Sequence, residues 1–339
     1  MPEPGVAQAA DVARALLGAG LEVRHLIGGG RNSRVYCVAR GRETYALKQY
    51  PSRADDPRDR LGTEVGALRL MAAGGVATVP QVVGVDRARG YALLTWIEGS
   101  EVTAVGDADI DAAVAFLAAV HALRTMPAAA EQPPAAEACL SGREIERQLG
   151  ERLARLRALA PDEPALARFL DDAFAPQLAR RIAHAKAQME ARGLDFAAEL
   201  PQEWRSLVPS DFGFHNSLRR ADGSLAFIDF EYFGWDDPVK LTADILLHPG
   251  RPLDAPRRRH FRRSIAGVYG EGSRFETRLA ALLPLFGLRW VLILLNEFIP
   301  ERWRRRQLAG ADGSWGEAKR RQLAAARAFL DALDRKVED

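Results

Sequence analysis

Cysteine is scarce in this chain. Its 339 residues include two cysteines, Cys37 and Cys139, which lie far apart in the sequence. Cysteine-based metal sites need several ligands at short spacing, so the pattern excludes a zinc-finger or similar motif. Two isolated thiols are typical of a reducing compartment, and we expect a cytoplasmic protein with both cysteines unpaired.

A long apolar run without charges is also missing. The most hydrophobic stretch, 279–300, contains Pro284, Arg289, Asn296 and Glu297. Charged side chains are costly in a bilayer, so we expect a buried helix here and no membrane insertion. The first residues show no basic region followed by an apolar core, and we therefore expect no signal peptide.

Neither sign of charge dominates. The chain has 47 Lys and Arg residues against 45 Asp and Glu residues, for a net charge of +2. This balance gives no electrostatic reason to expect a nucleic-acid partner. We interpret two arginine-rich runs, 257–263 and 302–306, as solvated helix faces.

Lysine is rare, whereas arginine is abundant. The lysines are Lys48, Lys186, Lys240, Lys319 and Lys336. Lys48 is the only one in the first 185 residues, and it lies in the segment 44–50, whose composition predicts a strand. Against this background, a single strand lysine indicates a specific role.

The N-terminal third predicts a small antiparallel sheet. We expect a helix at 7–20, strands at 22–27, 34–39, 44–50, 79–85 and 91–97, and a second helix at 59–73 with Glu64 in its middle. The first turn is glycine-rich and reads Gly28, Gly29, Gly30, Arg31, Asn32, Ser33. Glycines lack Cβ atoms, so backbone N–H groups in such a turn can approach phosphate oxygens.

The rest of the chain predicts mainly helices. They are expected at 110–123, at 141–156, within 165–192 and from 240 to the end. We place residues 1–98 in one lobe, with 1–21 as a leading helix, and residues 99–339 in a second. Within the second lobe, residues from about 127 to 200 form a helical insert.

Two apolar runs near the middle of the chain end in oxygen ligands. The first, Pro209-Ser210-Asp211-Phe212-Gly213-Phe214-His215-Asn216, supplies Asp211 and Asn216. The second, Ala226-Phe227-Ile228-Asp229-Phe230-Glu231, supplies Asp229 at the end of a predicted strand. Carboxylate and amide oxygens are ligands that Mg²⁺ prefers, and metal-bound phosphates need such groups to hold them.

These segments resemble the aminoglycoside phosphotransferase and choline kinase family. Asp211 and Asn216 have the spacing of the protein-kinase catalytic loop, and Asp229 lies where the magnesium-binding Asp would be. Ile228-Asp229-Phe230-Glu231-Tyr232, followed by Asp237-Pro238 and Ala243-Asp244, favours the small-molecule branch. The resemblance covers roughly residues 22–300. It implies an α+β, two-lobed protein-kinase-like fold with a small antiparallel-sheet N-terminal lobe and a larger, mainly helical C-terminal lobe.

The resemblance also implies an ATP-dependent small-molecule kinase that moves the γ-phosphate to a hydroxyl. Asp211, in a catalytic loop at 207–219, would act as the base. Asn216 and Asp229, the latter in a metal segment at 225–237, would hold Mg²⁺. Lys48, held by Glu64, would neutralise the phosphates of ATP or GTP.

The resemblance also implies contacts to the base, while the residue types that follow Asp229 suggest contacts to the acceptor. The turn residues Gly28, Gly29, Gly30, Asn32 and Ser33 would meet the phosphates, while the Thr95 carbonyl and the Ile97 N–H would bond the base. An acidic and aromatic wall for a cationic acceptor would comprise Glu231, Trp235, Asp236 and Asp237. The alternative for these four residues is a polar loop that caps the next helix.

Three other functions stay open. A protein kinase is disfavoured because no Ala-Pro-Glu and no long activation segment follow Asp229. A non-catalytic nucleotide-binding module is suggested by Pro209, which stands where the family usually has His. A helical scaffold that uses the arginine-rich faces would bind no nucleotide. Aminoglycosides, choline or ethanolamine, hydroxylated amino acids and sugars are all open as acceptors.

Overall fold

The computed structural model describes residues 4–25, 33–53, 56–270, 273–308 and 313–338. The chain divides into two compact units. The first unit comprises Met1–Val105, Ala115–Ala136 and Leu207–Trp235, and the second comprises Gly106–Val114, Glu137–Ser206 and Asp236–Asp339. This division groups the catalytic-loop segment with the N-terminal sheet, and the lobe boundary at residue 98 stays a prediction.

The first unit is built on short strands. Its elements are α1 (Pro4–Leu17), β1 (Glu22–His25), β2 (Arg34–Arg40), β3 (Glu43–Gln49), α2 (Arg60–Ala73), β4 (Val82–Asp86), β5 (Tyr91–Thr95), β6 (Ser100–Glu101), β7 (Ser206–Val208), β8 (Ser217–Arg219), β9 (Leu225–Phe227) and β10 (Gly234–Asp236). The last residue of β10 and the first of β7 belong to the second unit. The residues of α3 (Asp107–Ala122) are divided between the two units.

Strands β1 to β5 form one antiparallel sheet in the order β1-β2-β3-β5-β4. Helix α1 packs on it through a core of fully buried side chains, namely Ala9, Val12, Ala13, Tyr36, Val38, Leu47, Tyr91 and Leu93. Successive strand residues point to opposite faces of a sheet. Because Leu47 faces this core, Lys48 projects from the other face.

A second sheet positions the middle of the chain. Strands β6, β8 and β9 lie side by side in that order, and β8 pairs with β9 with Ser217 opposite Phe227. In an antiparallel pair, the residue before one strand lies beside the residue after the other. Asn216 therefore meets Ile228 at one end of this hairpin.

The second unit is helical. Its elements are α4 (Gly142–Arg157), α5 (Pro164–Arg168), α6 (Ala175–Glu190), α7 (Pro238–Leu247), α8 (Ala255–Tyr269), α9 (Ser273–Leu294), α10 (Pro300–Leu308), α11 (Trp315–Asp331) and α12 (Leu333–Glu338). Between α5 and α6, Phe169–Phe174 form a π-helical segment. Helix α9 contacts α4, α6, α7 and α11 and is the centre of this unit.

One helical stretch, Arg274–Phe298, is long and apolar enough to cross a membrane by length and composition alone. Two thirds of its most apolar window is buried inside the protein (67%). Leu285, Phe286 and Leu288 are fully buried. A core helix has this pattern, which agrees with the buried helix expected at 279–300.

Candidate functional site

Lys48 lies at the centre of a buried group of carboxylates in the first unit. Its Nζ atom is 2.6 Å from Glu64 Oε2, 2.7 Å from Asp229 Oδ1 and 3.5 Å from Glu231 Oε2. Glu64 comes from helix α2, whereas Asp229 and Glu231 both come from the metal segment, and one carboxylate oxygen of each lies within 4.8 Å of the others. One ammonium group thus joins the sheet, helix α2 and the metal segment.

Helix α2 fixes Glu64. Asp59 caps the helix by accepting the N–H of Gly62, and Leu61, Val65 and Leu68 bury one helical face. Glu64 is 1% exposed. Its carboxylate also accepts the Tyr50 hydroxyl at 2.8 Å and the N–H of Phe230 at 3.2 Å. With the Lys48 contact, these three donors and the apolar contacts of the helix leave the Glu64 side chain little freedom.

The metal segment and the catalytic loop meet through Asn216. The N–H of Ile228 donates to the Asn216 carbonyl at 3.0 Å, as the β8–β9 register requires. The Asn216 side-chain amide donates to the Asp211 carbonyl at 2.9 Å. This donation leaves the amide oxygen of Asn216 as the group that can serve a cation.

Both segments contain backbone in the left-handed region at residues other than glycine. Asp229 has φ +70° and Ser210 has φ +67°. Such conformations cost energy and persist where the surrounding structure holds them, often at functional sites. One of these positions is Asp229 itself, and the other, Ser210, immediately precedes Asp211.

Asp211 is more exposed to solvent than the other acids, since the Asp229 side chain is 29% exposed and those of Glu64 and Glu231 are 1% exposed. The Asp211 side chain is 47% exposed, and its Oδ1 lies 3.4 Å from His215 Nε2. The Asp211 carboxylate is therefore accessible from solvent. Burial raises the pKa of the Tyr232 hydroxyl to about 12, and the charge of nearby Asp211 adds to the rise.

Burial and charge shift the acids and bases of this group. Burial acts to lower the pKa of Lys48, but Glu64, Asp229 and Glu231 outweigh it and raise that pKa above its usual range. Burial also raises the pKa of Asp229 to about 6, with Glu64 and Glu231 adding to the rise and Lys48 opposing it. Lys48 therefore stays charged, while Asp229 holds its proton more readily than an ordinary aspartate.

Glu231 has partners that the sequence did not suggest. It is 3% exposed and forms an ion pair with Arg60, a hydrogen bond from the Ser33 hydroxyl at 2.7 Å and the long contact with Lys48. Arg60 also pairs with Asp56 and donates to the Tyr232 hydroxyl at 2.7 Å. The sequence does contain a signal for Arg60: it lies four positions before Glu64, so the two side chains are on the same face of the helix.

The other residues of the predicted acceptor wall are also engaged within their own units. The Trp235 indole N–H donates to the Ala129 carbonyl at 2.9 Å. Asp236, fully buried, accepts the N–H of Cys139 at 2.7 Å and lies 3.2 Å from Lys240 Nζ. Asp237 caps α7 by accepting the N–H of Val239 at 2.9 Å, and it pairs with Arg278. Helix capping, the alternative considered for this loop, is what Asp237 does; acceptor binding stays a prediction.

The predicted base-binding segment borders a cavity of about 600 Å³ in the first unit. The cavity is lined by Thr95–Glu98 and by Ala77, Val79, Gln81 and Arg220–Asp222. Thr95 is fixed because its N–H donates to the Gln81 carbonyl and its hydroxyl accepts the Gln81 N–H, both at 2.9 Å. The residues that line this cavity do not include Lys48 or Asp229. Gly28, Gly29, Gly30 and Asn32 lie outside the described residues, whereas Ser33 is described.

Comparison with solved structures shows the protein-kinase-like fold. The spectinomycin phosphotransferase APH(9)-Ia, solved with ADP and spectinomycin, is 12% identical, with a TM-score of 0.61 over 97% of this chain and 99% of that one. Choline kinase LicA from Streptococcus pneumoniae is 15% identical, with a TM-score of 0.57 over 96% and 98%. Ethanolamine kinase from Plasmodium vivax is 12% identical, with a TM-score of 0.57 over 93% and 85%. The α+β kinase-like fold expected from the sequence is confirmed.

No protein among the curated sequences matches this chain. Residues 23–275, however, match the family described as the phosphotransferase enzyme family, APH. The matched range contains Lys48, Glu64, Asp211, Asn216 and Asp229. The chain therefore belongs to the APH phosphotransferase family, as the resemblance of its motifs predicted.

Proposed function

We propose that this chain transfers the γ-phosphate of ATP to a hydroxyl group of a small molecule. The observation that supports this most strongly is the contact of Lys48 with both Glu64 and Asp229 at 2.6 and 2.7 Å. Phosphoryl transfer depends on positioning and on neutralising charge, and a lysine held beside the metal-binding acid serves both needs.

Lys48 would bind the nucleotide phosphates, with Glu64 as the residue that positions it. A buried carboxylate at 1% exposure keeps the lysine charged and fixes where its Nζ atom points. The base would bond the Thr95 carbonyl and the Ile97 N–H. Ser33, the last residue of the predicted glycine-rich turn, donates its hydroxyl to Glu231, one of the same carboxylates.

The donor set fits Mg²⁺. Asp229 supplies a carboxylate, and Asn216 supplies the oxygen of its side-chain amide. The nitrogen of the same amide donates to the Asp211 carbonyl. Hard oxygen donors of this kind suit Mg²⁺, which usually takes one or two protein ligands and completes its shell with phosphate and water. When bound, Mg²⁺ would offset charge on the transferred phosphate, and these two residues would hold it.

Asp211 would orient the acceptor hydroxyl and accept its proton. The Asp211 carbonyl accepts a hydrogen bond from Asn216, a proposed metal ligand, and its carboxylate is accessible from solvent. Both features support this role. The acceptor class rests on the relatives: one was solved with spectinomycin, and others are named as choline and ethanolamine kinases. We propose a hydroxylated small molecule of this general kind.

A panel assay tests the proposal. Purified chain is incubated with ATP, Mg²⁺ and single acceptors from the amino-alcohol, aminoglycoside, amino-acid and sugar classes, and ADP formation is followed. We expect acceptor-dependent ADP formation with at least one class, and a rate at least about 100-fold lower with the Asp211→Asn variant. Tight ATP binding without turnover on any acceptor would favour the non-catalytic nucleotide-binding alternative that Pro209 suggests.

A further inference from the structure

The first unit contains a second cavity, of about 580 Å³, whose charged lining is almost entirely cationic. It lies among the start of β2, the segment after β3, the start of α2 and the β4–β5 turn. Its charged lining residues are Arg34, Arg53, Arg58, Arg60, Arg87, Arg89 and Asp59. We call this cavity the arginine pocket. Arg60 pairs with Glu231 and Asp59 caps α2, but none of these residues is proposed above to contact the nucleotide, Mg²⁺ or the acceptor.

The floor of the arginine pocket is fixed in place. Arg60, 4% exposed, is held by Asp56, Glu231 and the Tyr232 hydroxyl. Arg58 makes two hydrogen bonds to Asp56, at 2.9 and 2.7 Å, and stacks over the Tyr232 ring at 5.1 Å. Guanidinium groups held this way lose little freedom when they bind a ligand, which favours binding.

Among the described residues, the ion pairs of the rim leave cationic charge over. The described acids paired with the six arginines are Asp56, Asp59, Asp86 and Glu231, so within that set six positive charges face four negative charges. In the part of the chain that the structure describes, no carboxylate forms an ion pair with Arg34 or Arg87. Both side chains are exposed and border the cavity.

We propose that the arginine pocket binds the phosphate group of a small molecule, at a site separate from the nucleotide. Guanidinium forks match the oxygens of phosphate and bind them through charge-assisted hydrogen bonds. The cavity volume is within the range of pockets that take small organic ligands. Inorganic phosphate and an organic phosphate monoester share the chemistry that the arginines recognise.

Calorimetric titration of the full chain with inorganic phosphate and with glycerol 3-phosphate tests the site. Chloride is adjusted to hold the ionic strength constant. We expect saturable binding that Arg87→Gln weakens at least about fivefold, since a hydrogen bond to a charged group is lost. Arg42→Gln, which removes an exposed arginine outside the cavity, should leave the dissociation constant unchanged. Tighter binding of glycerol 3-phosphate would indicate an organic ligand, and equal binding would indicate inorganic phosphate.

Competing explanations give different patterns. Binding that is lost in Lys48→Met but kept in Arg87→Gln would place the phosphate in the nucleotide site and overturn the proposal. Absence of saturable binding by either probe, or equal weakening by Arg42→Gln and Arg87→Gln, would overturn it as well. Arg34→Gln gives a second reading on the opposite rim, and we expect it to weaken binding as Arg87→Gln does.

Discussion

Lys48 and Asp229 are 181 positions apart in the chain, yet the ammonium nitrogen of one lies 2.7 Å from a carboxylate oxygen of the other. Lys48 comes from the third strand of the N-terminal sheet, and Asp229 lies two residues after the end of the β8–β9 hairpin. In the proposed reaction Lys48 would bind the nucleotide phosphates, and Asp229 would hold the Mg²⁺ that offsets their charge.

Removing the charge of Lys48 should strongly reduce the rate of catalysis. We expect Lys48→Met to lower kcat/KM for ATP by roughly 10²- to 10³-fold, the usual effect of losing one group that stabilises transition-state charge. Buried Glu64 and part-buried Asp229 would lose their ammonium partner, so unfolding in urea should also occur at a lower urea concentration. Lys48→Arg retains the charge, so we expect it to lose activity while its stability falls less than that of Lys48→Met. Full activity in Lys48→Met would contradict the role assigned to this residue.

Activity should fall in acid with an apparent pKa near 6. Burial and neighbouring acids raise the pKa of Asp229 to about 6, so below that pH its carboxyl is protonated and cannot serve Mg²⁺. Above it the group is ionised and the metal can bind. A profile of kcat/KM for ATP at fixed Mg²⁺ should rise through this range and then level. A profile that is flat between pH 5 and about 7 would show that Asp229 is not the controlling group.

Glu231→Gln should move this acid limb to lower pH. Glu231 is one of the acids that raise the pKa of Asp229, so its neutralisation lets Asp229 ionise more easily. Glu137→Gln is the matched control, because it removes an acid that lies in the second unit and is not among the groups that shift Asp229. The same pH profiles measure both variants. A limb that stays in place in Glu231→Gln would mean that the two carboxylates do not interact.

Asp211→Asn should separate nucleotide binding from transfer. The Asp211 side chain is 47% exposed, and its carboxylate does not contact Lys48 in the described structure. We expect kcat to fall by roughly 10²- to 10⁴-fold, as for loss of a general base, while the dissociation constant for ATP stays nearly unchanged. Calorimetric titration beside single-turnover assays makes the comparison. A large loss of ATP affinity would place Asp211 in nucleotide binding instead.

Gly234 is predicted to tolerate no side chain. A Cβ atom there would lie 2.2 Å from the Pro133 carbonyl oxygen and 2.6 Å from the Ala135 nitrogen, both backbone atoms that cannot move aside cheaply. Gly234→Ala should reduce the free energy of unfolding by about 1–3 kcal/mol. Gly150→Ala, in the middle of α4 with open space around it, should instead add about 0.5–1 kcal/mol. Urea denaturation of both variants provides the test, and equal stabilities would contradict it.

The strand and helix pattern of the first unit could be predicted because its signals are local. The strand predicted at 44–50 is observed as Glu43–Gln49, and the helix predicted at 59–73 is Arg60–Ala73 with Asp59 as its cap. Alternating burial and one apolar helical face produce these patterns in the sequence itself. The π-helical segment Phe169–Phe174 was not predicted, since helix periodicity does not distinguish it from the α-helices on either side.

The candidate site was only partly visible in the sequence. Motif spacing identified Lys48, Glu64, Asp211, Asn216 and Asp229, and the structure brings Lys48, Glu64 and Asp229 into direct contact. The motif spacing did not reveal the contacts of Glu231 with Arg60 and Lys48, because long-range pairing is decided by the fold. The burial of Asp236 has the same origin: strand β10 and the start of α7 place it beside Lys240.

The most direct test of the account is thermal unfolding of the wild-type chain and of Asp229→Asn with ATP, with and without Mg²⁺. A ligand at 100-fold its dissociation constant stabilises the folded state by about 2.7 kcal/mol, a resolvable shift. We predict that Mg²⁺ increases the stabilisation by ATP in the wild type and that Asp229→Asn loses this increase while keeping its fold. No shift of the wild type with either ATP or GTP would contradict the account at its first step.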